Sequence, residues 1–203
     1  MKSPLTTCKS ILNQSEQLLL LNEVEIQPIF TKVPGVAFNA LPAAVQKIHN
    51  TTGQSEFKGR ADSLGPSGFS GRLVATLFGF PGAKKDIPVE LTITAAGNDE
   101  YWTRNFDGKV FKSCLSLHKA GYITERFGPL SMRLGLHIQD NCLHYPVISA
   151  KLFGLIPLPR ILLPKSTARE CVDTQGRFTF DVHVLTPFGA RIAHYRGYLE
   201  SAG

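Results

Sequence analysis

The chain has 203 residues, of which 43% are hydrophobic and 19% are charged, and its net charge is +6. These values fit one globular domain and exclude a wholly disordered chain. No apolar run reaches the roughly 18 residues of a membrane-spanning helix, and Glu16 and Gln17 interrupt the apolar stretch that a secretory signal would need. The lysines and arginines are dispersed, so nucleic acid is not an expected partner. We expect a cytoplasmic protein.

The first part of the chain, residues 1–30, differs in pattern from the rest and is interpreted as a partly helical N-terminal extension. The spacing of its apolar residues predicts an amphipathic helix over 10–22. A short helix is predicted over 40–50, because Pro42 suits a first helical turn and the neighbouring apolar residues share one face.

A first strand and a further short helix follow. The strand is predicted over 55–62 and the helix over 69–78. Ser67 stands where it can cap the start of that helix, and Gly79 stands where a residue in the left-handed conformation can end it. The sequence thus predicts two or three short helices before the main β-rich region.

From residue 87 onward the apolar period changes from about 3.6 to about 2 residues. Short alternating segments are separated by turns, of which Asp107-Gly108 gives the strongest hairpin signal. The predicted strands cover 87–95, 100–106, 110–118, 122–127, 131–138, 143–151, 167–172, 177–185 and 191–199. We therefore predict a mainly β fold with a minor α+β character in one domain over 31–203: a curved antiparallel sheet or closed barrel of about 8–10 strands.

Residues 152–164 are apolar but contain three prolines. Proline lacks a backbone donor and fixes φ, so this segment is predicted to be a loop or a bulged strand pair. Its leucine side chains are expected to be buried against the core, a ligand or a membrane. The segment is interpreted as a plug of the core, as a lid over a cavity, or as a membrane-contacting tip. Arg160 is expected at the cavity rim, where it can meet an anionic ligand group.

Strand alternation places charged side chains on the interior face of the sheet. The candidate ligand-binding residues on interior faces are Trp102, Arg104, Phe106, Glu125, Phe127 and Glu170. Because an unpaired buried charge costs several kcal/mol, Arg104 is predicted to pair with Glu125, with Glu170 as a second candidate partner. Such a pair either fixes strand register or forms the polar floor of a ligand cavity. Glu125 is also the candidate catalytic acid or base.

No metal-ligand or cofactor motif is present. The histidines show no HxH or HExxH spacing, and the chain has neither a GxGxxG nor a GxSxG motif. The cysteines, which are Cys8, Cys114, Cys142 and Cys171, show no CxxC spacing. We interpret them as separate buried thiols in a reducing compartment, and we expect no metal and no cofactor.

A series of short phrases gives the chain a family resemblance. They are Leu41-Pro42 with His49, Phe57-Lys58-Gly59-Arg60, Trp102-Thr103-Arg104-Asn105-Phe106, Glu125-Arg126-Phe127-Gly128-Pro129, Gly154-Leu155-Ile156-Pro157-Leu158-Pro159-Arg160, Gly176-Arg177-Phe178-Thr179-Phe180-Asp181-Val182 and Tyr195-Arg196-Gly197-Tyr198-Leu199. Over about residues 38–199 the chain resembles the domain of unknown function 4166 family. That domain often follows a saccharopine-dehydrogenase-like reductase, so the resemblance implies metabolic work near a reductase but no particular activity.

Three functions are consistent with these observations. The first is binding of a small hydrophobic or amphipathic metabolite, such as an acyl or polyketide-like molecule, in an internal cavity with an Arg–Glu floor. The second is an isomerase- or cyclase-type enzyme that uses Glu125. The third is an interaction module that docks a separate reductase, or transiently a membrane, through residues 152–164. A free cavity beside Glu125 favours the first two, whereas a filled interior with an exposed apolar loop favours the third.

Overall fold

The computed structural model of this chain describes residues 27–202. In this part of the chain, thirteen strands form one antiparallel sheet that is accompanied by two α-helices. The mainly β fold and the curved antiparallel sheet predicted from the alternation are thereby confirmed. The helix predicted over 10–22 lies outside the described residues.

The two α-helices are α1 (Ala43–His49) and α2 (Gly68–Phe78), as predicted. Pro42 immediately precedes α1, and Gly79 ends α2 with a φ of 74°. Ser67 does not cap α2 with its side chain. Its Oγ instead accepts a hydrogen bond of 2.8 Å from the backbone N–H of Arg191, so it joins the start of α2 to the sheet.

The strands follow the predicted alternation. They are β1 (Gln54–Leu64), β2 (Ala83–Ala96), β3 (Asp99–Phe106), β4 (Lys109–His118), β5 (Tyr122–Phe127), β6 (Leu130–Leu134), β7 (His137–Gln139), β8 (Cys142–His144), β9 (Val147–Leu152), β10 (Ile156–Pro157), β11 (Lys165–Val172), β12 (Phe178–Leu185) and β13 (Arg191–Ser201). Their order across the sheet is β10-β9-β6-β5-β4-β3-β2-β1-β13-β12-β11-β8-β7.

The two ends of the sheet are connected by one bent hairpin. Strand β6 pairs with β9 near one end of the sheet. Between these two strands the chain forms β7 and β8 at the other end, where β8 pairs with β11 and β7 pairs with β8. The predicted strands 131–138 and 143–151 are therefore each divided in two, at the points where the chain changes its partner strand. Among the described residues no ladder joins β9 to β11, so the sheet is strongly curved but not closed.

The core occupies the concave face of the sheet. Its aromatic centre contains Phe106, Phe111 and Tyr195, whose ring centroids lie 5.0–6.0 Å apart. Helix α1 packs its buried residues into the interior and contacts β11, whereas α2 packs on β13. A close approach at Gly71 brings α2 near the sheet, since a Cβ there would collide with the Arg191 carbonyl oxygen.

A disulfide connects two neighbouring strands. Cys142 of β8 and Cys171 of β11 are bonded, with their Cα atoms 4.5 Å apart. The interpretation of all four cysteines as separate thiols is wrong for this pair, because the pairing of β8 with β11 brings residues 29 positions apart face to face. Cys114 is a buried free thiol. No helix within residues 27–202 is long and apolar enough to cross a membrane.

Candidate ligand pocket

The interior of the curved sheet contains a pocket of about 150 Å³. Most of its wall is aliphatic or aromatic, and Val74 and Phe78 of α2 contribute to it. Its polar lining residues are Arg104, Glu125, Tyr145, Ser166, Glu170 and Tyr195. An apolar cavity of this volume holds about one benzene-sized ring. A larger ligand must therefore extend out of the pocket or displace side chains.

Six of the seven predicted ligand-binding residues line this pocket. They are Trp102, Arg104, Phe106, Glu125, Phe127 and Glu170. Strand alternation places them there, since each pair of residues two positions apart points to the same face. The seventh, Arg160, lies outside the pocket lining, in the short 3₁₀ turn Arg160–Leu162. It borders a neighbouring groove that shares Val147, Pro164 and Ser166 with the pocket.

Arg104 is the cationic group of the pocket. Its Nη2 lies 3.6 Å from Glu125 Oε1, so the predicted ion pair is present, and its Nη1 donates a 2.9 Å hydrogen bond to Ser113 Oγ. The guanidinium carbon lies 4.8 Å from the centre of the Trp102 ring, a cation–π distance. The Arg104 and Glu125 side chains retain 17% and 15% of their exposure. This pair is therefore within reach of water or of a ligand.

Glu170 has other partners than Arg104. Its Oε2 contacts Nε2 of His49, and its Oε1 accepts a 2.6 Å hydrogen bond from the Tyr145 hydroxyl. Both His49 and Glu170 are fully buried. Glu170 thus links α1 to the hairpin that bridges the two ends of the sheet.

Sequence reasoning did not identify His49 as a site residue. It is the last residue of α1, and its ring lies 4.0 Å from the Phe30 ring and 5.6 Å from the Trp102 ring, measured between centroids. The missed signal is helical spacing, because His49 follows Val45 by four residues and therefore lies on the buried face of α1. Its partner Glu170 is 121 residues away, which no local pattern reveals.

Glu100 is a second buried acid that the sequence analysis did not single out. Its Oε2 accepts a 3.0 Å hydrogen bond from Nε1 of Trp102. Burial raises the pKa of Glu100, and the Trp102 hydrogen bond opposes part of that rise. Its position two residues before Trp102, on the same strand face, could have identified it.

The two pocket tyrosines remain neutral hydroxyl groups at ordinary pH. Burial, and then the adjacent Glu170 carboxylate, raise the pKa of Tyr145 well above its usual value. Burial chiefly raises the pKa of Tyr195 to about 12. The Tyr145 hydroxyl already donates to Glu170, so Arg104, Glu125 and the hydroxyls of Ser166 and Tyr195 are the polar groups that face the pocket with capacity for a ligand.

The leucine side chains of residues 152–164 do not cover the pocket. Only Pro164 of this segment lines the pocket, whereas Phe153, Leu155 and Ile161 are exposed. The segment is thus neither a plug of the core nor a lid in this structure. Within residues 27–202, no group of three or more His, Cys, Asp or Glu side chains is arranged to hold a metal ion.

Fold and pocket together define a β-rich domain whose curved sheet surrounds an apolar pocket with a small set of charged groups. The chain belongs to the family described as a domain of unknown function, DUF4166, which matches residues 41–199. The matched range begins just before α1 and ends in β13, so it includes both helices and the whole pocket wall. No curated protein matches the chain.

Proposed function

We propose that this protein binds a small hydrophobic or amphipathic molecule in the pocket of the curved sheet. The observation that carries this proposal is a mostly apolar pocket with one guanidinium group, that of Arg104, in its wall. Ligand sites in proteins typically combine an apolar lining with a few placed polar groups. Arg104 stacked on Trp102 suits a ligand with a carboxylate, a phenol or another anionic group.

The pocket has a polar end and an apolar end. Along β3 the lining changes from Arg104 to Phe106, and along β5 it changes from Glu125 to Phe127, in each case toward the sheet end where α2 lies. The ligand's polar group would therefore lie beside Arg104, and its apolar part would point toward α2. A ligand longer than one ring would leave the pocket between α2 and the strand that begins at Lys165.

Titration with anilinonaphthalene sulfonate, a fluorescent aromatic anion, tests this assignment. Arg104→Met is expected to weaken binding about tenfold or more, the effect of losing one charge-assisted hydrogen bond. Ala168→Leu is expected to weaken it as well, because Ala168 lines the pocket and a leucine would fill part of it. The matched controls are Arg133→Met, whose guanidinium stacks on Tyr122 outside the pocket lining, and Ala96→Leu on the surface.

Equal affinity in the wild type and in Ala168→Leu would show that the probe binds elsewhere, and the pocket would lose its assignment.

A cytoplasmic location and a separate reductase as partner stay predictions. The Cys142–Cys171 disulfide counts against the first of these, since disulfides persist mainly in oxidising compartments.

A further inference from the structure

The outer face of α2 carries an apolar stripe that no described residue covers. Phe69, Leu73 and Leu77 follow one another at helical spacing, and each is between 60% and 85% exposed. The opposite face of α2 is already used, because Val74 and Phe78 line the pocket and Ala75 is buried. A helix that is apolar on both faces is normally covered on both. The stripe therefore indicates a contact surface.

The same end of the molecule presents more exposed apolar side chains from three loops. Phe153, Leu155, Ile161 and Phe188 are between 68% and 82% exposed. Together with Phe69, Leu73 and Leu77 they form what we call the mouth rim. The clustering exceeds the scattered single residues of an ordinary surface.

Backbone contacts place these loops around the α2 end of the pocket. The Phe153 N–H donates a 2.7 Å hydrogen bond to the carbonyl of Pro129, which follows Gly128, and Gly128 lies against the Phe78 ring of α2. Ile161 lines one groove with Pro187 of the β12–β13 turn. That turn leads into Arg191, whose contacts with Ser67 return to the start of α2. The rim thus surrounds the exit of the pocket.

The charged side chains of the mouth rim are all positive. Its exposed cations are Arg72, Lys151, Arg160 and Lys165, and none forms an ion pair within the described part of the chain. The stretches 63–85, 126–139, 141–169 and 182–199, which build the rim, contain no aspartate or glutamate. Asp86, which follows the first of these stretches, is paired with Arg60, and Asp107 is paired with Lys84.

We propose that the mouth rim docks on the surface of an anionic phospholipid bilayer. Exposed phenylalanine and leucine flanked by lysine and arginine is the composition of interfacial membrane contacts, in which apolar groups enter the headgroup region and cations meet lipid phosphates. A partner of matching chemistry must supply negative charge and apolar contacts together, and an anionic bilayer supplies both. This inference rests on the proposed function, since docking would open the apolar end of the pocket directly to the bilayer.

Vesicle flotation with the full chain tests the proposal. The protein is expected to float with mixed phosphatidylcholine–phosphatidylglycerol vesicles, to bind pure phosphatidylcholine vesicles much more weakly, and to be released by salt. Arg160→Glu with Lys165→Glu is expected to weaken binding at least about tenfold, since one basic residue near an anionic surface contributes about fivefold. The control is Lys119→Glu, which lies in the β4–β5 turn at the opposite end of the sheet.

The apolar part of the rim has its own test. Phe153→Ser with Leu155→Ser is expected to abolish flotation without changing the thermal midpoint, because both side chains are exposed. Tyr101→Ser, which removes a 48% exposed side chain on β3, is the control and should float normally.

The outcomes distinguish this inference from the proposed function. Flotation with anionic vesicles by a protein whose pocket binds no probe would refute the ligand pocket and leave docking supported. Probe binding without flotation, or equal flotation with both vesicle types, would refute docking alone. A dimer in light scattering that becomes monomeric in Phe153→Ser with Leu155→Ser would assign the rim to a second copy of this chain and overturn the proposal.

Discussion

His49 and Glu170 form a buried contact between α1 and β11, and the two side chains have almost no access to water. Such a contact is costly to break from one side, because the remaining charged or polar group stays buried without its partner. The Tyr145 hydroxyl donates a hydrogen bond to the same Glu170 carboxylate. Stability and pocket geometry therefore depend on the same three side chains.

His49→Gln is expected to lower the free energy of unfolding by about 3–5 kcal/mol, the usual loss when one member of a buried pair is removed. Urea denaturation gives this value directly. The matched control is His194→Gln, since the His194–Asp181 pair lies at the surface with Asp181 half exposed. That variant should lose no more than about 1 kcal/mol. Equal losses in both variants would contradict a special role for His49.

The buried Glu100 predicts that the free energy of unfolding depends on pH, and in which direction. The pKa of Glu100 is raised in the folded state above its ordinary value of 4.5. As the pH rises above 4.5, the unfolded chain therefore loses the Glu100 proton while the folded protein still holds it. Stability contributed by this group is present below pH 4.5 and is lost as the pH rises through the folded-state pKa. Glu100→Gln removes this dependence. Relative to wild type, the variant should gain stability between pH 4.5 and neutral pH in urea titrations; a pH-independent difference would contradict the assignment.

Among single residues, alternation predicted the orientation of Arg104 and Glu125, and the structure brings them to 3.6 Å. This was possible because both lie between large apolar side chains on regular strands. Glu170 was predicted to face inward but its partner was not, since His49 reaches it from a helix 121 residues earlier in the chain. Local periodicity assigns a face to a side chain, but it does not show which distant group meets it there.

At the level of elements, α2 is held on the sheet by a close backbone approach. Gly71→Ala is expected to lower the free energy of unfolding by about 1–3 kcal/mol, because the new Cβ would overlap the Arg191 carbonyl oxygen and push α2 outward. Gly53→Ala is the control, since its Cβ would meet nothing within 4 Å and should leave stability nearly unchanged. Denaturation of both variants measures the difference. If the two unfold alike, α2 is not packed as closely as described.

The positions of α1, α2 and most strands were predictable, because turn residues such as Gly79 and Gly108 mark where each element ends. The division of 131–138 into β6 and β7 was not. Gly135 lies at the point of division, but a single glycine inside an alternating segment also fits a bulge, so it does not by itself indicate a change of partner strand. For residues 152–164 the sequence predicted a loop or a bulged strand pair, and the structure has a short strand pair there, since Ile156–Pro157 of β10 pair with β9 at the edge of the sheet.

For the whole molecule, the curvature of the sheet depends on how its two ends are connected. The hairpin that begins with β6 and ends with β9 carries the chain from one end to the other, and its middle part lies beside β11. Only a short ladder, Arg169 with His144 and Glu170 with Leu143, secures β8 to β11. The Cys142–Cys171 disulfide lies next to this ladder and fixes the same two strands covalently.

Loss of this disulfide should therefore loosen the curved sheet as a unit. A cross-link between residues 29 positions apart restricts the unfolded chain enough to contribute about 3–4 kcal/mol. Cys142→Ser with Cys171→Ser is expected to lower the free energy of unfolding by about this amount, and Cys114→Ser should change it much less.

Thiol titration of unfolded, unreduced protein checks the bond itself. The remaining cysteines are Cys8 and Cys114, so the wild type should show two reactive thiols before reduction and four after it. Four thiols before reduction would mean that the strands are held by their hydrogen bonds and packing alone, and the expectation of a reducing, cytoplasmic environment would then regain its support.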